Sequence, residues 1–239
     1  MITMRQALAA TVLAVAGLAA ATAHGSEAVI RKTVQSRFPD MQIESVTKTP
    51  FSGLYEVVLG GKIVYTDEKA SYFFIGSLLD VRGGAEKDLT RERTAQLNSQ
   101  ALKKSTDNAI KRVRGSGKRV VYTFEDPNCG YCRELQKELQ KVNDVTIYTF
   151  LWPILSPDSV EKSRGVWCSK DRAKAWDDLM LRGVAPPAGK CDAPLQQNVE
   201  LAQRFGARGT PAIFLADGSM LGGFVPADKL DQALNAVKP

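Results

Sequence analysis

Two cysteines separated by two residues, in the run Cys129-Gly130-Tyr131-Cys132, are the most chemically informative feature of the sequence. The apolar run Val120–Phe124 before them predicts a buried strand, and apolar residues at helical spacing after them predict a helix. A helix N-terminus carries unpaired N–H groups and partial positive charge, which together stabilise a thiolate. We therefore interpret Cys129 as a nucleophile and Cys132, one turn further, as the residue that resolves a mixed disulfide.

Other uses of a Cys-x-x-Cys pair have to be weighed against thiol exchange. The pair could form a purely structural disulfide, or half of a metal site, but a metal site needs further ligands. The single histidine is His24, and Cys168 and Cys191 do not form a second Cys-x-x-Cys. A papain-like nucleophile needs a histidine base within the fold. Thiol exchange needs no side-chain base, because the thiolate itself attacks. We therefore expect thiol–disulfide exchange, and we expect neither a metal nor another cofactor.

The N-terminal residues 1–23 have the layout of a secretory signal peptide. Arg5 precedes an uncharged, alanine-rich run over 7–23 that ends in small residues. This run is short and weakly apolar for a membrane anchor, which needs about 20 apolar residues. We expect cleavage before His24 and export of the mature chain. An even number of cysteines in an exported chain favours disulfides over free thiols.

The charge pattern gives little reason to expect a nucleic-acid partner. The net charge is +6, but basic residues are interleaved with acidic ones and no run of five or six like charges occurs. The densest basic stretch consists of Lys111, Arg112, Arg114, Lys118 and Arg119. We interpret this stretch as a solvated linker rather than as a phosphate-binding patch.

The mature chain divides into three predicted parts. Residues 24–84 predict a small domain with one helix and short antiparallel strands. Residues 85–118 are polar, charged and free of proline, which predicts a solvent-exposed connecting helix that ends before Gly115. Residues 119–239 predict an α/β domain in which a strand, the dithiol helix, a second strand and further helices lead to a final hairpin and helix.

Paired turn residues predict three hairpins. Gly60-Gly61 and Gly76-Ser77 each lie between short apolar runs of the N-terminal part, and Asp217-Gly218 lies between two runs near the C-terminus. The N-terminal sheet is small enough to be marginal on its own. A free edge of that sheet would invite pairing with another copy of the chain, which is a first indication of a dimer.

A second chemical feature is Gly209-Thr210-Pro211-Ala212, which leads into an apolar run. A proline is tolerated as the first residue of a strand, because no ladder hydrogen bond is lost there. By itself this run could simply mark the start of a strand, with no role in catalysis. In combination with an upstream Cys-x-x-Cys in a βαβ setting, a role at the active site becomes the favoured interpretation.

This order of elements resembles the thioredoxin fold, and nearly the whole chain after residue 23 resembles the DsbC-type periplasmic disulfide isomerases. The stretches that carry the resemblance are Asn128-Cys129-Gly130-Tyr131-Cys132, Gly165-Val166-Trp167-Cys168-Ser169-Lys170-Asp171, Ala175-Trp176-Asp177-Asp178-Leu179-Met180 and Phe205-Gly206-Ala207-Arg208-Gly209-Thr210-Pro211-Ala212. The resemblance implies an α+β dimerisation domain over 24–84, a helical linker over 85–118 and an α/β thioredoxin-like catalytic domain with inserted helices over 119–239.

The resemblance also implies roles for the matched residues. Cys129 is expected to attack, Cys132 to resolve and the two to form a redox-active disulfide, while Gly130 and Tyr131 tune the redox potential. One position departs from general thioredoxins, which keep a buried acid six residues before the first cysteine, because Thr123 stands there. Two nearer acids follow at 125 and 126, and the sequence assigns neither as the proton acceptor.

The remaining implied roles concern the substrate and the second cysteine pair. Pro211 is expected to be a cis-proline that faces the active site, and Thr210 to offer backbone groups to a substrate strand. Cys168 and Cys191 are expected to form the family's second, structural disulfide.

The implied partners are a second copy of the chain, joined through residues 24–84, and unfolded or misoxidised exported proteins, with chaperone activity. A membrane reductase of the DsbD kind is the implied electron donor. Two alternatives stay open, a DsbG-like reductase of oxidised single cysteines and a non-catalytic folding chaperone. Gly130 argues mildly against the first, because that relative has proline there. The extra N-terminal domain and the Gly-Tyr pair argue against a DsbA-like oxidase.

Overall fold

The computed structural model describes residues 26–237, which form two compact units. The first unit ends at Thr90 and the second begins at Arg91. No helix among residues 26–237 is both long enough and apolar enough to cross a membrane. The signal peptide expected over 1–23, and its cleavage before His24, lie outside the described residues.

A helix and a four-stranded antiparallel sheet make up most of the first unit. Residues 26–37 form α1, and the strands lie in the order β1-β2-β3-β4 across the sheet. The strands are β1 Ile43–Lys48, β2 Leu54–Leu59, β3 Lys62–Asp67 and β4 Phe73–Phe74, and a separate ribbon consists of β5 Leu79–Asp80 and β6 Lys87–Asp88. Ile30 and Val34 of α1 share one buried cluster with Tyr55 and Val57 of β2, which joins the helix to the sheet.

The hairpins predicted in this unit have different outcomes. The one at Gly60-Gly61 is confirmed, because β2 and β3 pair antiparallel on either side of it. The one at Gly76-Ser77 is wrong, because β4 pairs with β3 while β5 pairs with β6. Leu78 gives the reason, since its N–H donates to Thr90 Oγ1 at 2.8 Å and its carbonyl accepts from the N–H of Leu89 at 2.9 Å. Its backbone groups are thus bound to the start of the next helix.

A five-stranded mixed sheet with flanking helices makes up the second unit, in the strand order β11-β10-β8-β9-β7. β8 and β9 are parallel and the other neighbours are antiparallel. The strands are β7 Ile110–Arg114, β8 Arg119–Glu125, β9 Val145–Leu151, β10 Ala212–Leu215 and β11 Met220–Gly222. The helices are α2 Leu89–Lys104, α3 Gly130–Leu139, α4 Pro157–Cys168, α5 Arg172–Arg182, α6 Leu195–Arg204 and α7 Ala227–Ala236. The predicted α/β architecture and the hairpin at Asp217-Gly218 are confirmed.

The segment 85–118 is not one connecting helix, contrary to our expectation. α2 ends at Lys104, a 3₁₀ turn covers Thr106–Asn108, and β7 then joins the sheet beside β9. The physical reason lies in the alternation along β7, where Ile110 is 2% exposed and the side chain of Arg112 is 8% exposed with partners of its own. The basic stretch that we interpreted as a solvated linker is therefore partly a strand of the sheet.

The second half of α2 packs against its own unit instead of lying free in solvent. Leu102 is fully buried, and Ser99 Oγ donates to the carbonyl of Ala216 at 2.7 Å. Gly218, in the turn between β10 and β11, has a φ of +84°, and a Cβ there would overlap the carbonyl oxygen of Ala95. Only glycine combines this backbone conformation with so close an approach to the helix.

Aromatic side chains fix β8 in the middle of the second unit. Phe124 stacks on Phe150 with ring centroids 4.6 Å apart and meets Trp152, Phe205 and Phe214 edge-on. Each fully buried phenylalanine contributes about 1.5–3 kcal/mol of transfer free energy. The strand that leads to the dithiol is therefore held by a cluster of buried aromatic side chains.

Candidate dithiol active site

The dithiol lies where the central strand β8 gives way to α3. Cys129 is the N-cap residue of α3, with φ −78° and ψ 121°, and the backbone N–H of Cys132 donates to Cys129 Sγ at 3.3 Å. Cys129 is 6% exposed and Cys132 is fully buried, and each is a free thiol. Cys129 Sγ thus has an N–H donor and the positive end of a helix dipole beside it, both of which stabilise a thiolate.

The start of β10 is the second backbone element at the site. The Thr210–Pro211 peptide bond is cis, and Cys129 Sγ donates to the Thr210 carbonyl oxygen at 3.3 Å. Thr210 Oγ1 is buried, and no group in the part of the chain that the structure describes hydrogen-bonds it. The two segments are 81 residues apart in sequence, and they meet because β10 pairs with β8 in the sheet.

Tyr131 lies on the exposed side of α3, although helical spacing aligned it with Leu135. Its side chain is 68% exposed, and its ring contacts Phe224 with centroids 6.2 Å apart. Gly130 has open space where a Cβ would stand. The buried face of α3 begins instead at Cys132, so the two residues between the cysteines face outward.

A buried carboxylate holds the turn between β8 and α3. Asp126 is fully buried, and its Oδ1 accepts from the N–H of Asn128 and from the hydroxyl of Ser159, both at 2.8 Å. Its Oδ2 accepts from the N–H groups of Ile154 and Leu155 at 2.7 and 2.9 Å. These bonds tie the turn to the loop after β9 and to the first turn of α4. We missed this role, although an aspartate commonly accepts from the N–H two residues later.

A second buried acid, Glu125, closes β8 and is fully enclosed. Its Oε1 accepts from Thr123 Oγ1 at 2.6 Å, and its two oxygens accept from Gln136 Nε2 at 2.7 and 2.8 Å. Arg112 Nη1 donates to Gln136 Oε1 at 2.5 Å, and Nη2 donates to Thr149 Oγ1 at 2.9 Å. The sequence did not single out Gln136. The sequence did contain a signal for the Thr123–Glu125 contact, because side chains alternate along a strand and positions 123 and 125 of β8 therefore share one face.

Two buried titratable groups, Cys132 and Glu125, have shifted pKa values. Burial raises the pKa of the Cys132 thiol above its ordinary value, and the nearby Glu125 carboxylate raises it further. Burial also raises the pKa of Glu125, while Arg112 and the hydrogen bonds from Thr123 and Gln136 oppose that rise. Burial therefore disfavours the ionised form of both groups, and the charge on Glu125 further disfavours ionisation of Cys132.

The other two cysteines form a separate pair. Cys168 and Cys191 are joined by a disulfide with an S–S distance of 2.05 Å and a Cα–Cα distance of 5.6 Å. The bond connects the last residue of α4 to the segment before α6. Within residues 26–237, no group of three or more His, Cys, Asp or Glu side chains is arranged to hold a metal ion.

Comparison with known proteins gives matches over both units. Residues 21–91 match the disulfide bond isomerase protein N-terminal domain, and residues 106–238 match a thioredoxin-like domain. The probable thiol:disulfide interchange protein DsbC of Bordetella pertussis is 43% identical over 206 residues, which cover 86% of this chain and 73% of that protein. The thiol:disulfide interchange protein DsbC of Escherichia coli K12 is 28% identical over 209 residues, which cover 84% and 86%.

Solved structures agree with these matches. The crystal structure of a disulfide interchange protein from Neisseria gonorrhoeae is 41% identical, with a TM-score of 0.53, and covers 55% of this chain and 96% of that one. The resemblance and the fold class inferred from the sequence are therefore confirmed, with an antiparallel N-terminal unit and a thioredoxin-like second unit. With both units matched in order and a relative that is 43% identical over 206 residues, the chain belongs to the DsbC family and is a thiol:disulfide oxidoreductase.

Proposed function

We propose that this protein is a periplasmic protein disulfide isomerase that reduces and reshuffles incorrect disulfides through Cys129 and Cys132. The observation that carries the proposal is the position of Cys129 Sγ, at the N-terminus of α3 and 3.3 Å from the Thr210 carbonyl. A thiolate at a helix N-terminus is a good nucleophile. The segment around Thr210 and Pro211 is proposed to bind a substrate strand through its backbone groups, which brings the substrate disulfide to that sulfur.

The reaction begins when the Cys129 thiolate attacks one sulfur of a substrate disulfide. A bond forms between Cys129 and that sulfur, and the other substrate sulfur leaves as a thiolate. In isomerisation, a different substrate thiolate attacks the bound substrate sulfur and releases Cys129. In reduction, Cys132 attacks Cys129 Sγ, the redox-active disulfide closes, and the substrate leaves as a thiolate. The oxidised enzyme then needs two electrons, for which we propose a membrane reductase of the DsbD kind.

The surroundings of the dithiol support an unfolded chain as substrate and chaperone activity. Tyr131, Phe224, Ile154 and Leu155 are exposed apolar side chains on the segments that carry or adjoin the site. Such side chains can bind the apolar stretches that an unfolded protein exposes. Gly130 and Tyr131 are proposed to tune the redox potential, since they separate the two sulfurs along the chain.

The test of this proposal is the refolding of a scrambled multi-disulfide protein by the wild type, Cys129→Ser and Cys132→Ser. We expect isomerisation by the wild type, its loss without Cys129, and partial activity without Cys132, because isomerisation does not require the resolving step. Equal activity of Cys129→Ser and the wild type would instead favour a folding chaperone. A wild type that reduces oxidised single cysteines but does not reshuffle disulfides would favour a DsbG-like reductase.

A homodimer joined through residues 24–84 is proposed as well. β4 is an edge strand, and Phe74 and Ile75 at its end are 55% and 88% exposed, so a second copy could cover them. Light scattering at micromolar concentration should give the mass of two chains, and Ile75→Asp should reduce it. Val113→Asp, a matched change on the second unit where Val113 is 54% exposed, should not. A mass of one chain for the wild type would refute the dimer.

Periplasmic location is proposed from the layout of residues 1–23. If this segment is a cleaved signal, the N-terminus of the protein recovered from the periplasm should begin at His24. Recovery of the chain with residues 1–23 attached would contradict cleavage.

A further inference from the structure

Asn128 immediately precedes Cys129, and its partly buried side chain is bound to the N-terminal half of α4. Its amide group hydrogen-bonds four side chains, with Nδ2 at 3.0 Å from Ser156 Oγ, 2.9 Å from Asp158 Oδ2 and 3.0 Å from Ser159 Oγ, and with Oδ1 at 2.8 Å from Lys162 Nζ. The reaction steps proposed above do not use these contacts. They connect the residue before the nucleophile to the helix that follows β9.

An amide is the group that suits the partners at this place. Lys162 can only donate, and its Nζ binds Asp158 Oδ2 at 2.7 Å as well as Asn128 Oδ1. Hydrogen bonds from Lys162 and Asn128 lower the pKa of Asp158, so that carboxylate stays charged and only accepts. A carboxylate at position 128 would face the charge of Asp158, and an apolar side chain would bind neither partner. Asparagine presents an acceptor to the lysine and a donor to the aspartate.

The backbone of Asn128 is held by the same group of residues. Its N–H donates to Asp126 Oδ1 at 2.8 Å, and the Ser159 hydroxyl donates to the same oxygen at 2.8 Å. Since the Ser159 hydroxyl donates to Asp126, its oxygen accepts from Asn128 Nδ2, which closes a ring of hydrogen bonds between the turn and α4. The residue before Cys129 therefore cannot shift relative to α4 without breaking several hydrogen bonds.

The position of Cys129 depends on that of Asn128, because one peptide unit joins them. Cys129 Sγ lies 3.3 Å from the backbone nitrogen of Cys132 and 3.3 Å from the carbonyl oxygen of Thr210. The first of these contacts stabilises a thiolate, and the effect of a helix terminus falls off within its first turn. A small rotation of the residue at the N-cap would therefore weaken the stabilisation of the thiolate.

We infer that Asn128 is a positioning residue for Cys129, an inference that rests on the proposed function. Its side chain binds α4 and thereby holds Cys129 at the N-cap of α3, with the sulfur against the N–H of Cys132. Asn128 takes no part in making or breaking bonds. It acts on the fraction of Cys129 that is thiolate, and hence on the rate at which this residue attacks a disulfide.

Alkylation by iodoacetamide measures the reactivity of Cys129 in the full-length, reduced protein. The thiolate attacks the carbon of the reagent, a thioether forms and iodide leaves. A pH series from about 4 to 10 covers the range over which protein thiols ionise. Rapid alkylation should be lost in Cys129→Ser. Its persistence there would contradict the proposed function and, with it, the inference.

In Asn128→Ala we expect alkylation to be about threefold slower than in the wild type at the acid end of the series. At the alkaline end it should be as fast or faster. Weakening one hydrogen bond to a charged group lowers the thiolate fraction about tenfold. The less stabilised thiolate is the stronger nucleophile, which offsets part of that loss. A purely structural role would not make the two pH profiles cross.

Asn235→Ala is the matched control. Asn235 also donates to a carboxylate, that of Asp231, and accepts from a cation, that of Arg119. Arg119 is the first residue of β8, at the opposite end of that strand from the dithiol. The pH profile of Asn235→Ala should therefore match the wild type. If Asn128→Ala is folded by urea unfolding and also keeps the wild-type profile, while Cys129→Ser is unreactive, the inference alone is overturned.

Lys162→Met provides a second test, in case Asn128→Ala does not fold. It removes the donor to Asn128 Oδ1, so the profile should shift in the same direction by a smaller amount. The measurement is made at about 1 M salt, where the effect of removing a charge is screened within about 3 Å. Lys174→Met is its control, since Lys174 pairs with Asp178 on α5 in the same i,i+4 spacing and should keep the wild-type profile. A wild-type profile for Lys162→Met would then overturn the inference.

Discussion

Replacing Asp126 by asparagine should weaken the turn that precedes α3. Asparagine keeps one acceptor oxygen, but its NH₂ group cannot accept from an N–H. The N–H groups of Ile154 and Leu155 donate to the same oxygen of Asp126, so we expect the retained oxygen of asparagine to keep these two hydrogen bonds. The N–H of Asn128 and the hydroxyl of Ser159 then lose their charged acceptor. Two lost hydrogen bonds to a charged group, at about 1.5 kcal/mol each, give a loss of about 3 kcal/mol.

Urea unfolding followed by tryptophan fluorescence measures this loss in the relevant unit, because all three tryptophans lie at 152–176. In thermal unfolding the same loss corresponds to a fall in Tm of about 6–12 °C. Asp158→Asn is the matched control, since Asp158 is 61% exposed and pairs with Lys162 on the surface of α4. Its loss should stay below about 1 kcal/mol. An equal loss in the two variants would refute the reasoning that the buried carboxylate holds the turn.

Three further predictions concern stability. Replacing Cys168 and Cys191 together by serine should lower the free energy of unfolding by about 3 kcal/mol, because the disulfide closes a loop of 23 residues. Thiol–disulfide exchange should stay measurable in this variant. Loss of exchange in a folded variant would mark the pair as redox-active. The pKa of Glu125 is raised on folding, so its contribution to stability is present below the ordinary glutamate pKa and lost as pH rises through the folded pKa. In urea unfolding across a pH series, the wild type should therefore lose stability relative to Glu125→Gln over that window, and parallel curves would contradict it. Gly218→Val should lower the free energy of unfolding by about 2 kcal/mol or more in thermal or urea unfolding, because φ is +84° at Gly218 and a Cβ there overlaps α2. Gly83→Val should lower it less, because Gly83 has open space around it. Equal effects of the two substitutions would contradict the close approach at Gly218.

The sequence by itself predicted thiol chemistry and the order of the elements around the dithiol. The run Cys129-Gly130-Tyr131-Cys132 at the end of a β-type segment predicted the dithiol at a helix N-terminus, and the structure places Cys129 at that cap. Gly60-Gly61 predicted a hairpin that forms, because a two-residue turn and its flanking strands are adjacent in the chain. These features are local, so a short window of residues contains what determines them.

Only the tertiary structure decided which polar residues are buried together. Arg112, in a basic stretch that we expected to be solvated, is enclosed because Gln136 and Asp177, 24 and 65 residues further on, accept its hydrogen bonds. Glu125 is enclosed in the same way, because Gln136, 11 residues further on, donates to both oxygens of its carboxyl group. A buried charge is tolerated only where partners from other elements compensate its loss of hydration, and those partners are unknown until the sheet and the helices have assembled.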